Sequence, residues 1–377
     1  MELTPEIMKY IDDHRQEALD LLIELARIPA PSHHEEQRAA FCKEWLQQQG
    51  AEGVYIDDAL NVIYPVGCDK DKPLAVFAAH SDVVFPDTEP LPLKIEDGRI
   101  YCPGVGDDTA NVVALLMAAK YITEKKLFPQ EWGLLLVVNS CEEGLGNLKG
   151  TRKLISDFGT RIREFISFDS SPHDIVMKAV GSRRYRVEVD TEGGHSFGAF
   201  GNRNAIAYLS ALIGDLYQIK VPPKGKTTYN VGTISGGTSV NTIAQHAEML
   251  YEFRSDDKES LAIMEQHFNA AIDFYRTKGI QVTVTLLGDR PCGSLAEDPG
   301  EQALIDRSAA FIRQYAGVEP GLKMGSTDCN VPLSVGIPAV CYGCAQAPGA
   351  HTREEYVEID SLLPGLKVAF ASVLYHF

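Results

Sequence analysis

Apolar positions along the chain fall into two textures, and the change between them divides the molecule. Thr4 followed by Pro5 is a helix start; Ile7, Ile11, Ala18, Leu21, Leu22 and Leu25 then recur at helical spacing as far as Pro29, which predicts one amphipathic helix. A second helix is predicted over 34–49, stopped by Gly50. Unbroken apolar runs of strand length follow at 61–66, 74–79, 134–140 and 165–168, with helical stretches at 108–123 and 148–158. Buried strands alternating with helices predict an α/β sheet.

At about Gly181 the texture changes. Residues 184–190 alternate polar and apolar, as a strand wet on one face does, whereas the earlier runs read as buried on both faces. A helix at 204–216, strands at 228–235 and 247–254, a helix at 258–277 and a strand at 281–287 complete the order of a ferredoxin-like α+β sandwich. From Pro291 the helix and buried-strand patterns resume. The predicted organisation is α/β, a mixed, largely parallel sheet flanked by helices over 1–180 and 291–377, interrupted by a smaller α+β domain at 181–290. A length of 377 residues suits two domains, and no internal repeat is visible.

Composition narrows the function. With 45% hydrophobic and 23% charged residues this is an ordinary folded chain. Lys and Arg number 35 against 52 Asp and Glu, a balance of −17 that repels phosphate backbones and anionic lipid, so neither nucleic acid nor membrane is an expected partner. The amino terminus lacks a secretory pattern and no apolar stretch approaches the ~20 residues that span a bilayer; the expected location is the cytoplasm. Eight scattered cysteines are too sparse for a disulfide framework. Cys341-Tyr-Gly-Cys344 has neither a second pair at zinc-finger distance nor a thioredoxin-type context, and reads as two small buried side chains.

The candidate chemistry lies where polar residues stop the buried runs. The 74–79 run enters His80-Ser-Asp82, the 134–140 run enters Cys141-Glu142-Glu143, and the 165–168 run ends in Asp169. Ligand-binding groups of open α/β sheets collect at the carboxyl ends of strands, so these groups should share one rim. Asp107-Asp108 after a Gly-rich turn and His351 after a loop are two further deliveries. Imidazoles and carboxylates brought together from distant segments suit divalent metal, and two ions fit better than one. Two Zn²⁺ carry +4; Asp107, Glu143 and Asp169 supply −3, and one hydroxide reaches neutrality. Asp82 is then free to orient the His80 ring, and Glu142 to accept a proton from water.

These residues carry a resemblance. His80-Ser-Asp82, Gly106-Asp107-Asp108, Cys141-Glu142-Glu143-Gly144, Asp169 and Ala350-His351-Thr-Arg-Glu354, in this order and interrupted by a smaller domain, resemble the dizinc metallopeptidase family of tripeptidase T, carnosine-type dipeptidases, acetylornithine deacetylase and succinyl-diaminopimelate desuccinylase. The resemblance implies that Asp107 bridges two metals, His80 and Asp169 completing one site and Glu143 and His351 the other. It implies zinc, with manganese or cobalt as alternatives, Glu142 as general base, and a cis peptide between Asp107 and Asp108. The inserted domain becomes a lid and dimerisation domain, whose His195 in Gly193-Gly-His195-Ser reaches the partner subunit's site in a homodimer and stabilises the oxyanion. Asn241, Arg254 and, more loosely, Arg183 and Thr327 fall where the family holds substrate. Thr109-Ala110 after the Asp pair and Arg184 after Arg183 depart from the family pattern.

The implied reaction is hydrolysis of an amide. Asp rather than Glu at 169 goes, within the family, with di- and tripeptidases, so a short peptide is the expected substrate, with an N-acyl amino acid as the alternative. Gly194-His-Ser196-Phe-Gly198 is formally a serine-hydrolase elbow, but the strand before it is half wet and helical pattern resumes only near Asn204. Gly104-Val-Gly106 is followed by Thr109 where a dinucleotide fingerprint needs Gly. A catalytically dead scaffold would not need all five ligands and the base together.

Overall fold

The computed structural model describes residues 2–377. The chain forms two compact units, Met1–Ala179 with Ser294–Phe377, and Val180–Gly293.

The larger unit is built on a mixed sheet in the order Tyr55–Ile56, Val62–Val66, Gly133–Asn139, Leu74–His80, Ile162–Phe168, Ala339–Tyr342, Asp174–Ala179. Its four central strands, Gly133–Asn139 to Ala339–Tyr342, run parallel, and Val62–Val66 is antiparallel to its neighbour. Gly321–Gly325 adds a parallel partner to Asp174–Ala179. Both faces are covered, which is why the strands read as continuous apolar runs. Ala75, Phe77 and Ala79 enter one apolar cluster; Leu74, Val76 and Ala78 enter another on the opposite face. Helix Ala110–Glu124 is buried at every position from Ala110 to Ile122, as an all-round apolar helix must be.

The smaller unit is a four-stranded antiparallel sheet in the order Thr227–Gly236, His246–Ser255, Gly181–Asp190, Gln281–Arg290. In chain order this is second, third, first, fourth, the ferredoxin-like arrangement. Helices Ala205–Leu216 and Lys258–Thr277 supply apolar side chains to one cluster with Val187, Val189, Met249 and Phe253. Its centre is aromatic: Tyr185 stacks on Phe268 at 4.4 Å between ring centroids.

Two local expectations change. The first helix is two, Pro5–Asp13 and Arg15–Ala26. The break is at His14, whose N–H still donates to the Tyr10 carbonyl at 3.1 Å while its ring stacks on Tyr10 with Nδ1 2.8 Å from the same carbonyl. The short strands Lys94–Glu96 and Arg99–Tyr101 were not expected from the pattern; the first is exposed throughout and carries no alternation to read.

Candidate metal centre

Parallel pairing delivers the strand ends to one rim. His80 is the last residue of its strand and pairs with Asn139, and Asp169 directly follows Ile162–Phe168. Glu142 and Glu143 leave the end of Gly133–Asn139 and are fixed by Asp82. That carboxylate accepts the Glu142 N–H at Oδ1 and the Glu143 N–H at Oδ2, both at 2.9 Å, and the Ser32 hydroxyl at 2.6 Å. Asp107 stands in the turn between strand Arg99–Tyr101 and helix Ala110–Glu124, and the Asp107–Asp108 peptide is cis.

The central feature is the way Asp107 divides its two oxygens. Oδ1 lies 3.1 Å from His80 Nε2, and Oδ2 lies 3.2 Å from His351 Nε2. His351 Nε2 is also 3.1 Å from Glu143 Oε1. Donor atoms of His80, Asp107 and Glu143 all lie within 4.8 Å of one another, and so do those of His80, Asp108 and Asp169. Tetrahedral zinc with bonds of about 2.0–2.2 Å holds neighbouring donors roughly 3.3 Å apart, close to the imidazole–carboxylate distances of 3.1 and 3.2 Å around Asp107 and Glu143. His80 is 1% exposed, Glu143 6% and His351 58%, so the cluster opens on the His351 side.

Asp82 lies beside the His80 ring, as an orienting role requires. The His80 Nδ1 partner is the Asp82 main-chain carbonyl at 3.0 Å; the carboxylate is 3.6 Å away, beyond a hydrogen bond. Asp82 therefore sets the His80 ring through its backbone and the two glutamates through its side chain.

The electrostatics are those of carboxylates crowded together in a buried site. Burial, and then the Asp107 charge, push Asp169 up to about 7. Asp108 is raised by burial and by its carboxylate neighbours. Hydrogen bonds donated to Asp107 and Glu143 hold His351 up to about 10, and His80 is raised by Asp108 and Asp107 against the opposing effect of its own burial. Burial raises Asp107, yet the two imidazoles bring it below its ordinary value. Divalent cations would relieve the carboxylate repulsion and take the place of protons on both imidazoles. The donor set fits such ions.

Thr327 is buried in a turn of the same unit; its N–H donates to Asn330 Oδ1 at 2.9 Å. The neighbouring Asp328 accepts from Asn139 Nδ2 at 2.6 Å, which ties this turn to the strand leading to Glu142. In the smaller unit, strand Gly194–His195 pairs with Thr242–Ile243, and the Ser196 N–H donates to the Asn241 carbonyl at 2.9 Å. His195 is exposed, and its Nδ1 accepts the Phe197 and Gly198 N–H groups at 3.3 Å each, which puts the ring proton on Nε2. Register separates the two arginines that the resemblance places among the substrate contacts, Arg254 and, more loosely, Arg183. Arg183 pairs with Phe253 and Arg254 with Ser182, so they occupy opposite faces of the sheet. Arg183 is committed to Asp289 and Glu265, whereas Arg254 shares its face with Arg184 and binds Glu252 at 3.0 and 3.1 Å. Ser196 follows a two-residue strand and the next helix starts at Ala205, so no elbow forms. Cys341 and Cys344 are buried free thiols.

Sequence reasoning missed two buried charges behind the rim. Arg38 donates to the carbonyls of Ile28 (2.8 Å) and Ser81 (2.9 Å) and to Thr109 Oγ1 (3.1 Å). Glu355 accepts three main-chain N–H groups of the turn that carries Asp107. The helix around Arg38 held no signal, since Arg38 occupies the same apolar stripe as Ala39, Cys42 and Leu46. Glu355 adjoins the His351 motif, but a Glu there reads equally as a solvated loop residue.

A parallel sheet whose carboxyl rim gathers imidazoles and carboxylates at ligand separation is built to hold divalent metal, as a metal-dependent hydrolase is. The chain belongs to peptidase family M20/M25/M40, whose description matches residues 76–375. It is 26% identical over 364 residues to the acetylornithine deacetylase of Myxococcus xanthus, covering 89% of this chain and 87% of that one. It is 23% identical over 347 residues to the succinyl-diaminopimelate desuccinylase of Corynebacterium glutamicum, covering 90% and 91%. Its fold is similar to the crystal structure of a tripeptidase from Staphylococcus aureus, with a TM-score of 0.77, 21% identity and coverage of 96% and 98%. Among the described residues, no helix is long and apolar enough to cross a membrane.

Proposed function

We propose that the protein hydrolyses short peptides of the di- and tripeptide class at a centre of two divalent ions, zinc in the native enzyme. The observation that carries this reading is the division of Asp107, one oxygen toward each imidazole. His80 and Asp169 would complete one site, Glu143 and His351 the other. Such ions supply Lewis acidity, lowering the pKa of water and polarising a carbonyl. Glu142 takes the proton of the attacking water and returns it to the amine nitrogen as the C–O bond forms and the C–N bond breaks. Asp82 positions Glu142 and Glu143 through their N–H groups.

We assign substrate contacts to Asn241, Arg254 and Thr327, with the Arg254 guanidinium suited to a carboxylate, and leave Arg183 to the packing of the smaller unit. His195, with its proton on Nε2, donates to the oxygen on which charge develops, from the lid of the partner in a homodimer. Supporting the dimer, Phe197 and Phe200 beside it are 90% and 91% exposed, apolar surface that a second copy would cover. Free thiols at all eight cysteines favour the cytoplasm.

The names of the Myxococcus and Corynebacterium relatives favour a second reading on the same residues, hydrolysis of an N-acyl amino acid. Metal analysis of protein purified without chelator, followed by a screen of di-, tri- and N-acylated peptides, tests both. About two zinc per chain with peptide cleavage is expected. Turnover confined to N-acyl amino acids would favour the second reading. Chelator-insensitive activity lost to a serine-directed phosphonate would overturn both.

A further inference from the structure

We infer that Glu355 is a positioning residue that locks the Asp107 turn to the His351 segment, so that both metal sites depend on it. The inference rests on the proposed two-ion centre and goes beyond its ligands and base. Glu355 is fully buried. Its Oε1 accepts the N–H groups of Gly106 and Asp107, and its Oε2 that of Gly104, all at 2.8 Å. Three N–H groups converging on one carboxylate form a concave anion nest, here filled by the protein's own side chain. The backbone is shaped for this contact. Gly104 has φ 76°, in the left-handed region, and a Cβ on Gly106 would come within 2.0 Å of the Ala347 Cβ and 3.2 Å of Glu355 Oε1.

The same segment is pinned a second way. The Cys102 N–H donates to the Glu355 carbonyl at 3.2 Å, and Tyr356–Glu358 pairs with Arg99–Tyr101. Glu355 lies four residues beyond His351, so one short stretch carries a ligand of one site and the brace of the residue that serves both. Because the Asp107 oxygens face His80 and His351 separately, an error in this turn reaches both sites together. A change at His351 alone should reach only one.

The test uses full-length protein, stripped of metal and titrated with zinc against a chromophoric chelator. In Glu355→Gln an NH₂ group must face one of the three N–H donors. The expected result is a fall of tenfold or more in the affinity for both zinc ions in parallel, in the range usual for loss of a group that orients a ligand. With zinc saturating, kcat should fall at least tenfold while KM stays within threefold. His351→Gln should weaken one ion only. Glu301→Gln is the control: Glu301 is an equally buried carboxylate that accepts the Ala339 N–H at 2.7 Å, and its loss should leave zinc affinity unchanged. If Glu355→Gln does not fold, Glu355→Asp keeps the charge on a shorter arm and should show the same parallel loss. Wild-type zinc affinity in a folded Glu355 variant, with the unmodified chain binding two ions and turning over peptide, would overturn this inference alone. A chain that binds no zinc would overturn the proposed function and this inference with it.

Discussion

Replacing Asp82 by Asn tests what organises the two glutamates. The carboxylate is 0% exposed and gives one oxygen to each of the Glu142 and Glu143 N–H groups. Asn has one oxygen, so its NH₂ must oppose one of those donors, and a buried N–H loses its partner. Hydrogen bonds to a charged group contribute about 1.5–3 kcal/mol each, and an orphaned buried donor costs about 1–3 kcal/mol, so a loss of about 3 kcal/mol in stability is expected. At roughly 2–4 °C per kcal/mol, Tm should fall by about 6–12 °C. The chemical effect should exceed the structural one. A displacement of about 1 Å in a reacting group costs on the order of 100-fold, and Glu142 and Glu143 move with their backbone. We expect kcat/KM to fall about 100-fold in Asp82→Asn, mostly in kcat, and bound zinc to fall from two toward one per chain after dialysis. The ion on the Glu143 side should leave. The His80 side should persist, because that ring is held by the Asp82 main-chain carbonyl at 3.0 Å, which the substitution keeps. Steady-state kinetics, thermal unfolding and elemental analysis of one preparation measure all three. Loss of stability with kcat/KM within threefold of wild type, or loss of the His80-side ion first, would refute the reasoning.

Two further outcomes follow from the same geometry. Glu142→Gln should keep both ions and lose kcat by 10³-fold or more, the upper range for general acid–base work; near-normal turnover would remove Glu142 from that role. Burial pushes Glu301 up to about 7 from the ordinary 4.5, so between those pH values the folded chain keeps a proton that the unfolded chain has lost. Stability from this group is full below about pH 4.5 and declines as pH rises through about 7, by on the order of 3 kcal/mol. Glu301→Gln should therefore gain Tm relative to wild type between pH 5 and pH 8, and a difference independent of pH would show that Glu301 does not titrate there.

Much of this protein is written in local sequence. The runs at 74–79, 134–140 and 165–168 are apolar without alternation because both faces of those strands are covered, and that pattern alone indicated a parallel sheet with functional groups at its carboxyl rim. The alternation from 184 to 190 marked a sheet wet on one side, and the order of elements after it matches the ferredoxin-like arrangement observed. Other features depend on partners remote in the chain, which no local pattern encodes. The opposite facing of Arg183 and Arg254 needs the register between two strands about seventy residues apart. Glu355 braces a turn some 250 residues earlier, and Asp82 caps N–H groups some 60 residues later. Residue type and hydrophobic period determined which groups stand at strand ends. Which oxygen meets which hydrogen is decided only when distant segments pack, because hydrogen bonds act over about 3 Å and are blind to separation along the chain.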